Sequence, residues 1–322
     1  NGGQQIYRMN DLDPNQRQLL SFGSAGVHDV VPTNALSPDG QLIAFASDRD
    51  GNWEIYVTSA QGDESSVHRV TNNDADDINP MWASDSQIVF ESNIHGAWGL
   101  MGVNILVGDV LPIMENSLAD VVNGFWSPDA THLLFQINLP NDNGVRMWQI
   151  SEFELTTTSI RTLSDHTTND TDAQYSSDGN VIIFRSYASA GDPGTINLMN
   201  ADGSNRHSIS IEGWDASNPV WSPEGHFIAY QAEKNGQRDV FVYEVTTGIT
   251  RQLTSGDSNE FAPYWTCSEA VLVFTSDVNG SADLYVAGIQ PINGAPIDVS
   301  TKAIRLTFEP SNETTITPNH QG

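Results

Sequence analysis

One phrase recurs six times along the chain at a nearly constant interval, and it limits the possible folds more than any other feature. It reads as an aromatic residue or Leu, a small polar residue, Pro or Ser, an acid, then a β-rich run ending in Phe or Tyr. The copies start at Leu36 (LSPDGQLIAF), Trp82 (WASDSQIVF), Trp126 (WSPDATHLLF), Tyr175 (YSSDGNVIIF), Trp221 (WSPEGHFIAY) and Trp265 (WTCSEAVLVF), at steps of 46, 44, 49, 46 and 44 residues. Self-similarity at about 40–50 residues is the signature of four-stranded propeller blades. A lone four-stranded sheet leaves both faces uncovered, so such units stack on their neighbours. The 322 residues are therefore read as all-β, a single β-propeller domain over 1–322. The Trp heading a unit is expected to pack between adjacent blades.

The strands can be read within one unit. In the fifth, Asn218–Ser222, Phe227–Ala232, Asp239–Glu244 and Thr250–Thr254 alternate in period two, separated by turns at Pro223-Glu224-Gly225, Lys234-Asn235-Gly236 and Thr246-Thr247-Gly248. Gly and Asn supply the positive φ that tight hairpins require. At the ends, Gln5–Met9 and Arg17–Leu20 match a third and a fourth strand, and Thr314–Pro318 falls where a new inner strand belongs. Residues 5–20 and 314–318 thus predict a split closing blade whose second strand has no counterpart. Seven blades are favoured on this count, with six as the alternative.

Charge excludes one class of partner. Forty-one acids face thirteen bases, a formal net charge of −28, and only Lys234 and Lys302 are lysines. Such a surface repels phosphate backbones, so no nucleic acid is expected, and it suits basic proteins or cations. No stretch is long and apolar enough for a transmembrane segment. The start, NGGQQIYRMN, carries no signal pattern, so a secreted chain would have lost its signal or carry it outside these residues. The single Cys267 cannot form an internal disulfide and reads as a small buried residue.

The phrases SPDGQLIAFASDRDGNWEIYV (Ser37–Val57), WSPDATHLLF and TINLMNADGSN (Thr195–Asn205) resemble the WD40-like PD40 repeat of the TolB-like β-propeller superfamily. The resemblance covers nearly the whole chain. It weakens in the second unit, at Ser84-Asp85-Ser86, and in the sixth, at Cys267-Ser268-Glu269. It implies a periplasmic or extracellular protein. Members include protein-interaction modules of the cell envelope, propellers that gate peptidase domains, and oligogalacturonate lyases. A fold alone does not choose between these.

Catalytic patterns are missing from the sequence. There is no G-x-S-x-G elbow, no H-E-x-x-H and no cysteine pair, and the eight histidines share no repeat position. The informative polar pattern lies in the loops leading into each inner strand. Asp29, Asp77, Asp120, Asp170, Asp215 and Glu260 each precede the head of a unit by five to seven residues. Two readings stay open: a ring of carboxylates that draws a cation or basic partner to one face, or acids that cap turns. Asp48, Asp50, Asp74 and Asp76 are the weak candidates for Ca2+, the one cofactor considered, although neither segment has a twelve-residue calcium loop. The function expected from residues and resemblance together is a non-enzymatic binding or assembly module with a protein partner. The alternatives are a gating propeller of a larger hydrolase, a metal-dependent polysaccharide lyase, or a structural part of a surface assembly.

Overall fold

The computed structural model describes residues 3–9, 13, 17–32, 35–164, 166–266, 268–289, 297–298 and 302–307. Among the described residues, those up to 124 together with 135–138 form one compact unit, and 125–134 with 139–307 form a second. Six four-stranded sheets run in chain order, each with the antiparallel meander of a propeller blade. Blade 1 consists of Asp29–Val30, Leu42–Ser47, Glu54–Ser59 and His68–Arg69, and blade 2 of Asp77–Ser84, Gln87–Ser92, Gly99–Asn104 and Val110–Met114. Blade 3 comprises Val121–Trp126, His132–Pro140, Arg146–Glu154 and Ser159–Thr162, and the boundary between the units falls within it. Blade 4 is Asn169–Tyr175, Val181–Tyr187, Thr195–Asn200 and His207–Ser208. Blade 5 is Asp215–Trp221, Phe227–Lys234, Gln237–Glu244 and Ile249–Gln252, and blade 6 is Glu260–Trp265, Val271–Ser276, Asp283–Gly288 and Ile304–Arg305.

The repeated phrase explains why these sheets stack. Its closing aromatics, Phe45, Phe90, Phe135, Phe184, Tyr230 and Phe274, are all fully buried on the second strands. Removing one such ring from water stabilises the fold by about 2–3 kcal/mol. Trp82, Trp221 and Trp265, each at the head of a unit, sit against the preceding blade, as expected. The Trp82 indole N–H donates to the Ala35 carbonyl (2.8 Å), and Trp265 reaches the Val220 carbonyl (3.3 Å). In the first unit Trp82 shares a core with Ala44, Ile55 and Val57 of blade 1 and Ile88 and Phe90 of blade 2. In the second, Trp265 packs with Ala229, Val240 and Val242 of blade 5.

The favoured count of seven blades is corrected to six. Residues 5–20 do pair, Tyr7–Met9 antiparallel to Arg17–Leu19, but as a two-stranded sheet. The pair is too short to make a blade, and Ile6 and Leu20 beside it pack on Phe45 and Tyr56 of blade 1. The strand assigned to Thr314–Pro318 and the residue Cys267 lie outside the described residues.

Four of the inner strands also bend at one recurring place. Register shifts fall between Ile78 and Met81, Thr171 and Gln174, Ser217 and Val220, and Phe261 and Tyr264. The residues there, Asn79, Asp172, Asn218 and Ala262, have φ of 50–57°, as does Asn123 (53°) in blade 3. Asn and Asp tolerate this left-handed region through local hydrogen bonds, and Ala does not share that compensation.

Candidate functional site

The loops leading into the inner strands tie each blade to the one before it. The amide of Trp53, opening toward the third strand of blade 1, donates to Asp76 Oδ1 (3.2 Å). The same bond recurs from Trp98 to Asp120 (3.1 Å), Trp148 to Asn169 (3.0 Å), Gly194 to Asp215 (2.8 Å) and Arg238 to Asn259 (3.1 Å). The five acceptors follow the repeat at steps of 44, 49, 46 and 44 residues. A third strand would otherwise begin with an unpaired N–H, so a short side chain with an outward oxygen is required at that point.

The six acids singled out in the sequence occupy this region in three different states. Three are bound to arginines: Asp29 to Arg49 (2.8 Å), Asp170 to Arg206 (2.6 and 2.8 Å) and Asp215 to Arg185 (3.0 Å). Asp29 and Asp170 are buried, whereas the Asp215 side chain keeps 46% of its surface in solvent. Asp120 is half-buried and accepts the Trp98 amide. Asp77 and Glu260 are buried, and uncharged side chains donate to their carboxylates. Asp77 accepts from Asn73 Nδ2 (2.8 Å), and burial pushes its pKa up to about 6, with the Glu54 charge adding to the rise. Glu260 accepts from Ser258 and Ser276 (2.6 and 2.7 Å); burial raises its pKa, and the charges of Asp239 and Asp277 push the same way.

The weak calcium candidates are engaged by other groups. Asp48 accepts from the His28 amide and faces the His28 ring, both at 2.7 Å. Asp50 holds the Tyr56 hydroxyl and Arg69, Asp76 caps Trp53, and Asp74 is exposed. Among the described residues, three His, Cys, Asp or Glu ligand atoms come within 4.8 Å of one another at one place, Glu224, His226 and Glu269. That place lies on the turn between first and second strands, at the other end of the blade from the lead-in loops.

The bulge residues are the polar group that sequence reading missed. Asn79, Asn123, Asp172, Asn218 and Ala262 each stand three positions before the head of a unit, a spacing as regular as that of the acids. Second-strand side chains reach them from the same or the preceding blade. Glu91 Oε1 accepts from Asn79 Nδ2 (3.0 Å) and the Asn123 amide (2.9 Å), and Gln231 Oε1 accepts from the Ala262 amide (2.8 Å). Asp172 carries a carboxylate where Asn79, Asn123 and Asn218 carry amides; burial raises its pKa and the Arg185 charge opposes the rise. An Asn or Asp at that fixed offset was the available signal, and its left-handed backbone was not readable without the register shift.

Comparisons with known proteins agree on the architecture. The Tol-Pal system protein TolB of Francisella tularensis subsp. mediasiatica (strain FSC147) is 30% identical over 139 residues, which cover 42% of this chain and 31% of that protein. Matches to the first curated relatives span under a third of those proteins' lengths. Among solved structures, an oligogalacturonate lyase in complex with manganese superposes with a TM-score of 0.69 at 16% identity, covering 88% of this chain and 82% of that one. TolB from Acinetobacter baumannii superposes with a TM-score of 0.57 at 19% identity, covering 77% and 61%. At these identities the structural likeness carries the fold alone. The model of the TolB beta propeller domain family (PD40) matches residues 1–224 and 121–287, and the chain belongs to that family.

Proposed function

We propose that this propeller is a binding and assembly module of the cell envelope or exterior, engaging a protein partner with a basic surface through its lead-in loops. The observation that carries the reading is the repetition of carboxylates in those loops on a chain of net charge −28, in a family whose curated relatives are named for the Tol-Pal system. Within the six acids the roles divide. The exposed Asp215 and half-buried Asp120 offer their charge to a partner, and the buried Asp29, Asp77, Asp170 and Glu260 shape the loops that present them. A cation held at these loops belongs to the same reading, with Ca2+ at Asp48, Asp50, Asp74 and Asp76 its weaker form.

The test is binding of a lysine-rich polypeptide at low and high salt. Exposed charges attract across about 10 Å at 0.1 M salt and much less at 1 M, so affinity should fall steeply as salt rises. The double variant Asp120→Asn/Asp215→Asn should weaken binding further at low salt. Binding that ignores both salt and the double substitution would overturn the proposal. The fold likeness to the manganese-bound lyase makes one enzymatic assay worthwhile alongside it. Cleavage of oligogalacturonate by the purified chain with Mn2+ would replace the binding reading with a catalytic one.

A further inference from the structure

The turn between first and second strands is built the same way in three blades. Ser37, Ser127 and Ser176 each donate Oγ–H to the acid two residues on, Asp39, Asp129 and Asp178, at 2.6 Å. Those hydroxyl bonds are the largest influence on each acid and lower its pKa, to about 2 for Asp129. Blade 5 departs from this rule. Glu224 stands at the acid's position, and Ser222 turns instead to Glu269, which comes from the corresponding turn of the sixth repeat. The same oxygen, Glu269 Oε1, also accepts the backbone N–H of Glu224 (2.9 Å) and of His226 (3.3 Å). Two irregularities of the repeat, SPEG in the fifth unit and Ser268-Glu269 in the sixth, are thus one structural exchange.

The exchange releases the Glu224 carboxylate and leaves its side chain 73% exposed. It also fixes Glu269, because three donors hold one carboxylate oxygen and aim the other at His226. Glu269 Oε2 lies 2.7 Å from His226 Nδ1, and Glu224 Oε2 lies 3.7 Å from the same nitrogen. Burial raises the Glu269 pKa, but its hydrogen bonds outweigh burial and hold it below the usual range, so it stays an anion. The His226 pKa is raised, chiefly by its hydrogen bond to Glu269, then by the charges of Glu269 and Glu224.

We infer that Glu224, His226 and Glu269 form a binding site for a divalent first-row transition ion, with Zn2+ the natural probe. Zinc bonds imidazole nitrogen and carboxylate oxygen at about 2.0–2.2 Å, which places tetrahedral ligands about 3.4 Å apart. The separations of 2.7 and 3.7 Å at His226 bracket that value, and the exposed Glu224 side chain is free to adjust. The ion takes the place of the hydrogen bond between Nδ1 and Oε2. One imidazole with two carboxylates suits transition ions; Ca2+ wants six to eight oxygens, which this turn does not gather. The site is at the opposite end of the blade from the lead-in loops and does not depend on the partner reading.

Calorimetric titration of the whole chain with Zn2+ tests the inference. Saturable binding is expected, at least about tenfold tighter than for Ca2+. Glu224→Gln, whose side chain caps nothing in the turn, should weaken Zn2+ at least about tenfold without moving the metal-free melting temperature. His226→Gln should do the same to affinity. Absence of saturable binding by the wild type overturns the site. So does wild-type affinity in both variants, which would put the ion on other groups of this acidic chain.

Discussion

In blades 1, 5 and 6 the third strand opens on a buried acid, yet that acid meets different partners. In blade 1, Glu54 is bound by Arg69 at 2.7 Å, and in blade 6, Asp283 is bound by Arg305 at 2.7 Å. In blade 5, Asp239 meets Gln252 at the equivalent register, since Arg69 pairs across from Tyr56, Arg305 from Tyr285 and Gln252 from Phe241. The outer-strand sequences are HRVT, IRLT and RQLT, so the arginine of blade 5 has moved by a single position. Successive side chains of a strand point to opposite faces, and that one step takes the cation away from the acid. Burial then pushes Asp239 up to about 6. The same strand position holds an arginine-paired acid in two blades and a group that titrates at mildly acidic pH in the third.

The largest expected effect comes from making blade 1 resemble blade 5. Arg69→Met removes the cation from a fully buried Glu54, and stranding a buried carboxylate costs about 3–5 kcal/mol. Urea melts at neutral pH should show that loss. A loss below about 1 kcal/mol would mean that the Arg69–Glu54 pair does not hold blade 1 together.

The converse experiment is next in size. A rise from 3.8 to about 6 makes Asp239 a proton binder in the folded state, so its contribution to stability is full below pH 3.8 and is lost as pH climbs through 6. The whole step is on the order of 3 kcal/mol. Asp239→Asn should therefore stabilise the protein above pH 6 and flatten its stability profile between pH 4 and 6. Gln252→Arg should achieve much of the same by supplying the missing cation. A pH profile unchanged by either substitution breaks the comparison.

Smaller effects sharpen it. The Asp239 charge also raises the pKa of Glu260, so Asp239→Asn and Glu260→Gln should be coupled by about 1 kcal/mol in a double-mutant cycle at neutral pH. Additive effects would place the two acids out of electrical contact. Two residues beyond Glu260, Ala262 sits at φ 50° where three other blades carry Asn. Ala262→Gly should stabilise by about 0.5–1 kcal/mol with no change in the pH profile, which separates backbone strain from charge.

How far the sequence reached depends on the range of the force involved. The strands of blade 5 were readable because alternation and turn residues act over a few positions, and the six closing aromatics are buried where the phrase puts them. The split seventh blade was overread from Gln5–Met9 and Arg17–Leu20, which look like strands but pair only with each other. The lead-in acids were found by spacing alone. Their differing states were not, because Asp170 finds Arg206 thirty-six positions away while Asp77 accepts from the nearby Asn73. The bulges went unseen for a related reason, since a register shift is a property of two strands together.

The sequence by itself determined the repeat, the four-stranded unit and the buried aromatic at the end of each phrase, all of which follow from local periodicity and turn chemistry. Only the tertiary structure decided which acids hold a counter-charge, that Glu269 caps the turn of the preceding blade, and that residues 5–20 do not complete a sheet. Those outcomes depend on cross-strand register and on distances of 2.6–3.0 Å between groups far apart in the chain. A shift of one residue, as at Arg251 and Gln252, leaves the hydrophobic pattern intact and changes the electrostatics completely.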